Sequence, residues 1–201
     1  MSGTRTRRAA AIAALSLIPL GASVALAPSA SGHGYTQNPP SRSLHCQQGA
    51  VSDCGPIQWE PQSVEGPKGF PSAGPADGMI CAGGNDQFAQ LDDQAKPWPR
   101  TPMPSGQNFE FEWTLKVPHA TSSFRYFVTK NGWDPGQPLT RAQLEPEPFL
   151  TVDFGGQRPP TTVNHTGRLP AGKSGHHMVL AVWDVADTAN AFYACSDVTF
   201  S

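Results

Sequence analysis

The sequence predicts an all-β fold, a two-sheet sandwich of the immunoglobulin or fibronectin type III kind, with a long loop region carrying short helices. Three features carry that expectation: strict alternation beginning at Asn108, a train of short aromatic and β-branched runs after it, and Gly/Pro punctuation between the runs. From Asn108 to Val117, Phe109, Phe111, Trp113, Leu115 and Val117 point one way, and Glu110, Glu112, Thr114 and Lys116 the other. This period of two marks a half-buried antiparallel strand. Further strands are predicted at Ser123–Lys130, Phe149–Phe154, Thr161–Leu169, His177–Asp184 and Phe192–Phe200, with turns such as Gly155-Gly156 and Pro159-Pro160 between them. A first strand near Tyr35–Asn38 brings the set to six or seven, enough for a sandwich. Trp113 and Trp183 fall on alternating strand positions and are expected in the core.

Before Asn108 the pattern differs. Pro and Gly crowd the stretch from Pro39 to Gly78, and Cys46–Arg100 shows no sustained period. Short helical turns are expected there, with Asp86–Asp92 the best candidate. Proline interrupts almost every helical window, which excludes long helices and coiled coils. The 201 residues carry 14 Lys+Arg against 16 Asp+Glu, and no basic run, so nucleic acid is not an expected partner. No internal repeat or second domain is visible, and no appended binding module is expected after Ser201.

Residues 1–32 have the layout of a secretory signal. Arg5, Arg7 and Arg8 precede an apolar run from Ala9 to Leu26, and small residues lead to Ala30-Ser31-Gly32. The Arg7-Arg8 pair also permits a twin-arginine reading, although the surrounding motif is weak. The apolar run is about 18 residues long and broken by Ser16, Pro19, Gly21 and Ser23, which argues against a membrane anchor. Ala30 and Gly32 suit the −3 and −1 positions, so cleavage is expected after Gly32. Residues 33–201 would then form one secreted, extracellular domain, expected to be a monomer. Losing three arginines makes its side-chain charge −5 instead of −2. Its first residue would be His33.

An exported chain meets an oxidising compartment, so the four cysteines predict two disulfides. Cys46 and Cys54 can close locally, leaving Cys81 and Cys195 to tie the loop region to the last strand; sequence alone allows all three connectivities. A zinc site is disfavoured because no C-x-x-C pair occurs.

An amino-terminal histidine offers two nitrogen donors from one residue. Its α-amine has a pKa of roughly 7.7–8.0, so a metal displaces its proton near neutrality at little cost. Amine and imidazole Nδ1 can close a chelate ring, and a second imidazole opposite would complete a T of three nitrogens. Such a tetragonal nitrogen set suits Cu(II). The candidates for the second imidazole are His45, His119, His165, His176 and His177. His119 is favoured, because Val117-Pro118-His119-Ala120-Thr121 reads as a tight corner that puts a side chain at the rim. His176 and His177 are adjacent on a strand and point to opposite faces.

These residues resemble a known family. His33-Gly34-Tyr35, the run from Gln58 to Gly66, and Gly74-Pro75-Ala76-Asp77-Gly78 look like a bacterial lytic polysaccharide monooxygenase, the chitin-active branch of auxiliary activity family 10. The likeness continues through His119-Ala120-Thr121, Arg125–Lys130 and Leu180–Asp184 to Asn190–Tyr193, in order along the whole chain after the signal. It implies a fibronectin type III-like sandwich. It also implies one copper ion per chain in a histidine brace of His33 and His119, and oxidation of crystalline chitin, normally at C1. Dioxygen or hydrogen peroxide would be the oxidant and an external electron donor the reductant.

By position, the resemblance makes Phe192 the aromatic residue at the axial face of the copper and Glu65 the acid beside it. Trp59 becomes the aromatic residue of a flat sugar-binding face, with Glu60, Asp187, Thr188 and Asn190 as its polar neighbours. Two departures stand out: Val117 replaces a usual alanine two positions before the second histidine, and Pro118 stiffens the residue before it. Asn164-His165-Thr166 fits a glycosylation pattern but is read as a chance match. The competing function is a non-catalytic chitin- or cellulose-binding protein. A glycoside hydrolase would need a pair of flanking carboxylates, and no such pair recommends itself.

Overall fold

The computed structural model describes Gly3 and residues 32–201; the secretory segment read at residues 1–32 otherwise lies outside the described residues. In chain order the elements are β1 (His33–Asn38), helix α1 (Arg42–Gln47), β2 (Glu65–Pro67), β3 (Thr101–Met103), β4 (Asn108–Val117), β5 (Thr121–Val128), β6 (Leu150–Asp153), β7 (Thr162–Arg168), β8 (Gly175–Val185) and β9 (Asn190–Phe200). Short 3-10 segments form at Gly55–Gln58, Asp86–Asp92, which is kinked at Phe88, and Arg141–Gln143.

Every strand anticipated from alternation is present, β4 with the same limits. The strand expected at Ser123–Lys130 begins two residues earlier, since buried Thr121 pairs with Val185 on β8. Strands β2 and β3, three residues each, are too short to show a period and were not anticipated. Nor was α1, six residues started by Ser41, whose hydroxyl accepts the Leu44 N–H at 3.4 Å. The Asp86–Asp92 turn lies where it was expected.

The strands form two sheets, β1-β4-β7 and β2-β9-β8-β5-β6, with β3 running parallel to β9. Phe111, Trp113 and Leu115 of β4 face Phe124 and Tyr126 of β5 and Val179, Ala181 and Trp183 of β8 in the core between the sheets. The other face of the larger sheet is buried too. Leu180 and Val182 of β8, with Phe127 of β5, pack under Ile57, Phe70, Ile80 and Phe88 from the loop region. This double burial is why β8 reads as an unbroken apolar run while β4 alternates. Val117, expected to face inward, lies 41% exposed, because β4 runs past the end of the core there.

Both disulfides form in the local-then-long-range pairing, Cys46–Cys54 and Cys81–Cys195. The second links the loop region to β9 across 114 residues. On chain-entropy grounds such a closure stabilises the fold by about 4–5 kcal/mol.

His165 on β7 belongs to this core rather than to any rim. The Trp113 indole N–H donates to the Tyr126 oxygen at 3.1 Å, and the Tyr126 hydroxyl lies 2.7 Å from His165 Nδ1. Donation from Tyr126 to Nδ1 leaves the imidazole proton on Nε2, which is buried with no partner among the described residues. Burial pushes the His165 pKa down to about 4. The ring is therefore neutral in the folded protein and protonates below pH 6.5 once unfolded. Its contribution is present above pH 6.5 and is lost as pH falls through about 4. We expect urea unfolding to show up to about 3 kcal/mol of pH dependence between pH 6.5 and 4 that His165→Phe removes. Parallel curves for the two proteins across that window would contradict this assignment.

Candidate metal centre

One row of side chains crosses the larger sheet on its inner face. Phe124 of β5 pairs with Trp183 of β8, Trp183 with Phe192 of β9, and Phe192 with Glu65 of β2. Directly opposed residues on antiparallel strands share a face, so the rings stack in sequence and end at a carboxylate. Phe124 and Trp183 lie nearly parallel, with centroids 5.9 Å apart; Trp183 and Phe192 are 4.8 Å apart and tilted by 30°.

Trp183 also fixes the corner between β4 and β5. Its indole N–H donates to Thr121 Oγ1 at 2.8 Å, and that hydroxyl donates to the His119 carbonyl at 2.9 Å. From outside, Arg158 Nε donates to the Pro118 carbonyl at 2.7 Å. His119 is thus held by its backbone, leaving its ring to face the site. Ring Nε2 is buried with no partner among the described residues, and Nδ1 lies 4.0 Å from Asp187 Oδ1, too far for a direct hydrogen bond.

His33 opens β1 opposite Val117, with a register shift between His33 and Gly34. At Gly34 a Cβ would stand 2.7 Å from Leu115 Cδ2 and 3.1 Å from Trp183 Cζ3, so a glycine is what lets this strand end lie against the tryptophan. A Cβ on Gly32 would come 2.6 Å from Phe192 Cε2 and 3.0 Å from His119 Cδ2. The amino-terminal side of His33 therefore points into the space between Phe192 and the His119 ring edge.

Glu65 is placed from three sides. Its strand pairs with β9, Asn85 Nδ2 donates to its carbonyl at 2.6 Å, and Asn190 Nδ2 donates to its Oε1 at 2.8 Å. Asn190, expected to face sugar, instead spends its amide on Glu65. Thr188 is likewise occupied: its hydroxyl accepts the Asn190 N–H at 3.1 Å, and its carbonyl accepts Lys68 Nζ at 2.7 Å. Asp187 is exposed and stands beside His119.

Trp59 is 81% exposed, although a tryptophan normally gives up most of its surface on folding. It follows the Gly55–Gln58 turn, which is anchored inward by buried Ile57 and by Cys54 of the first disulfide. The chain then passes half-buried Glu60 and Gln62, whose carbonyl accepts the Gly34 N–H at 2.9 Å, before reaching Glu65. Trp59, His33, Glu65, His119 and the β8–β9 loop are thus presented at one end of the sandwich.

The donors fit a copper ion. His119 offers an orphaned buried imidazole nitrogen toward the amino-terminal side of His33. Among the described residues no group of three or more His, Cys, Asp or Glu side chains gathers as a metal site, so a third donor has to come from elsewhere. The α-amine of a chain beginning at His33 is such a donor. Phe192, 1% exposed, adds a surface that cannot ligate.

The family described as lytic polysaccharide mono-oxygenase, cellulose-degrading, matches residues 33–198. The chain belongs to this family. It is an AA10 lytic polysaccharide monooxygenase by sequence and fold. An AA10 lytic polysaccharide monooxygenase from Streptomyces lividans superposes with a TM-score of 0.82 at 56% identity, covering 84% of this chain and all of that one. A Bacillus amyloliquefaciens CBM33 structure in complex with Cu(I) superposes with a TM-score of 0.77 at 39% identity over 84% of this chain and all of that one. GlcNAc-binding protein A of Shewanella oneidensis is 44% identical over 191 residues, 93% of this chain. The monooxygenase spans 40% of that relative's length.

The sequence reading missed Trp183, Thr121 and Gly34 as parts of this centre. Trp183 was placed in the core, which is correct, but its contacts to Phe192 and Thr121 follow from strand register, which alternation alone does not supply. We expect Trp183→Phe to destabilise the metal-free protein by about 2–4 kcal/mol and to shift the His119 ring signals in NMR spectra. Trp113→Phe, which loses the bond to Tyr126 and packing against Trp183 and Phe124 but no bond to Thr121, should shift those signals less than Trp183→Phe does.

Proposed function

We propose that residues 33–201 are the catalytic domain of a secreted copper-dependent monooxygenase that cleaves β-1,4-linked chains of crystalline chitin by oxidation at C1. The observation that carries this reading is the unpartnered His119 Nε2 facing the amino-terminal side of His33. In this reading cleavage after Gly32 frees the α-amine, and the amine, His33 Nδ1 and His119 Nε2 hold one copper ion. Bound copper supplies the one-electron chemistry that lets dioxygen or hydrogen peroxide, with an external electron donor, oxidise an unactivated C–H bond.

The remaining roles belong to the chain itself. Phe192 closes one side of the ion with a ring that excludes water and donates no lone pair. Glu65 keeps Oε1 occupied by Asn190, so Oε2 is the oxygen free to hold or pass a proton beside the reacting group. Trp59 offers a rigid face for a pyranose ring, tipped by an N–H for a sugar hydroxyl. Asp187 and Glu60 supply acceptors around it. The basic start and apolar run of residues 1–32, with two disulfides, support export.

The GlcNAc in the Shewanella relative's name supports chitin, whereas the family description names cellulose. The same relative's name also favours a second reading, a polysaccharide-binding protein without turnover. Both questions yield to one assay. The chain beginning at His33 is incubated with copper, a reductant and either chitin or cellulose, and soluble products are weighed by mass spectrometry. Aldonic acids of N-acetylglucosamine oligomers are expected, from chitin only. Binding without copper-dependent products would leave the non-catalytic reading standing.

The coordination is tested separately by adding one residue ahead of His33. We expect copper affinity to fall at least a hundredfold by calorimetry and the Cu(II) EPR signal of a three-nitrogen site to disappear; unchanged affinity would overturn the proposed donor set. For the binding face, Trp59→Ala should weaken adsorption to chitin by about tenfold while leaving the copper EPR spectrum unaltered. An unchanged isotherm would remove Trp59 from the face.

A further inference from the structure

A cavity of about 260 Å³ opens at the other end of β9 from Phe192. Its base includes Asp197, five residues along the strand and about 17 Å away at a strand's rise per residue. Nothing in the copper chemistry uses it.

Its polar lining is almost entirely donor in character. Asp197 is the only carboxylate, and both its oxygens are already engaged. Oδ2 accepts Arg42 Nε at 2.7 Å, while Oδ1 accepts Arg42 Nη2 at 3.1 Å and lies 2.8 Å from His176 Nε2. Arg42, 1% exposed, also donates to the Leu91 carbonyl and to Gln94 Oε1. An arginine cannot accept, so the last contact fixes the orientation of the Gln94 amide. Gln94 Nε2 is consequently a buried donor, and it has no partner among the described residues.

Around these groups stand two further cations of the lining. Lys96 Nζ donates only to the Ser52 carbonyl at 3.0 Å, and exposed Arg100 makes no hydrogen bond or ion pair with another described residue. Trp133, which is not part of the lining, packs edge-on against His176 at 5.1 Å and so reports on it. Arg42, Lys96 and Arg100 against Asp197 leave two positive charges in a domain whose side chains otherwise sum to negative. Buried donors without acceptors are costly, at about 1–3 kcal/mol each, unless something accepts from them.

We propose that this cavity binds a small oxyanion, a carboxylate or phosphate-like group whose oxygens pair with Lys96 and Arg100 and draw the occluded Gln94 Nε2 toward them to donate. The inference is independent of the copper site. Two sources of the same chemistry are distinguished by using inorganic phosphate and gluconate as probes.

The test is an NMR titration of the processed, copper-loaded protein at constant ionic strength, following the Gln94 side-chain amide and the Trp98 and Trp133 indole signals. Saturable shifts are expected with at least one probe. Phosphate alone would assign an inorganic oxyanion, gluconate alone a carboxylate-bearing molecule, and both a general oxyanion site. Gln94→Glu keeps the acceptor for Arg42 but removes the free donor and adds repulsion, so saturation should vanish. The surface variant Lys96→Ala/Arg100→Ala, which touches no core contact, should weaken binding at least tenfold. Shifts that stay linear with both probes, or saturation equal in wild type and the Lys96/Arg100 variant, would overturn the proposal.

Discussion

The geometry of the metal centre depends on the packing of one indole. Trp183 stacks between Phe124 and Phe192, passes a hydrogen bond through Thr121 to the His119 backbone, and lies where a side chain at position 34 would stand. The strand start at His33, the corner at His119 and the ring of Phe192 come from distant parts of the sequence. They are referred to one another by contacts with the same rigid, fully buried group. The candidate ligand set is thereby referred to core packing. Interiors packed at crystal-like density resist small displacements, so the backbone of the His119 corner and the Gly34 strand end are both braced by the core.

Legibility in the sequence followed the burial pattern. β4 was readable to the residue because one face packs on the core and the other meets polar surroundings, which forces alternation. β8 and β9 are buried on both faces, so neither alternates and their limits blur: β8 reads as an apolar run from Met178 to Trp183, while β9 also buries Ser196 and Asp197. β2 could not be read: three residues, one of them proline, carry no period, and the strand exists because β9 offers an edge at Phe192. Yet β2 is what brings Glu65 to the centre. Its role was legible only through the motif around it, while its partner Asn190 was assigned to the sugar-binding face because an asparagine at a strand start shows nothing of what it bonds.

The loop region illustrates a different relation between composition and order. High Pro and Gly content suggested irregular backbone, and irregular it is, but it is not loosely attached. Ile57, Phe70, Ile80 and Phe88 bury themselves on the outer face of the larger sheet, and the Cys81–Cys195 bond ties that layer to β9. The Cys46–Cys54 bond then braces the turn that projects Trp59. An aromatic side chain held out into water contributes nothing to folding from its exposed face, so its support must come from residues beneath it. Under the proposed function, the rigidity of that support would let Trp59 meet a crystalline surface without the cost of ordering a mobile loop.

Position 32 sharpens the meaning of the amino terminus. Gly32 occupies the room beside Phe192 and the Cδ2 edge of His119, so tightly that a single methyl group there would clash with the Phe192 ring and crowd that of His119. A donor set using the His33 amine needs that same room for its ion. One peptide-bond cleavage would therefore do two things together: convert an amide nitrogen, which is a poor ligand, into an amine, and clear the space the ion must enter. Neither change alone is sufficient. An amine beside an obstructed space could not chelate, and a cleared space beside an amide would have too few donors, since the described residues gather no third side chain there. Both requirements would be met at a single bond because the proposed ligand and the obstruction are consecutive residues on one strand end, held against Trp183 through Gly34.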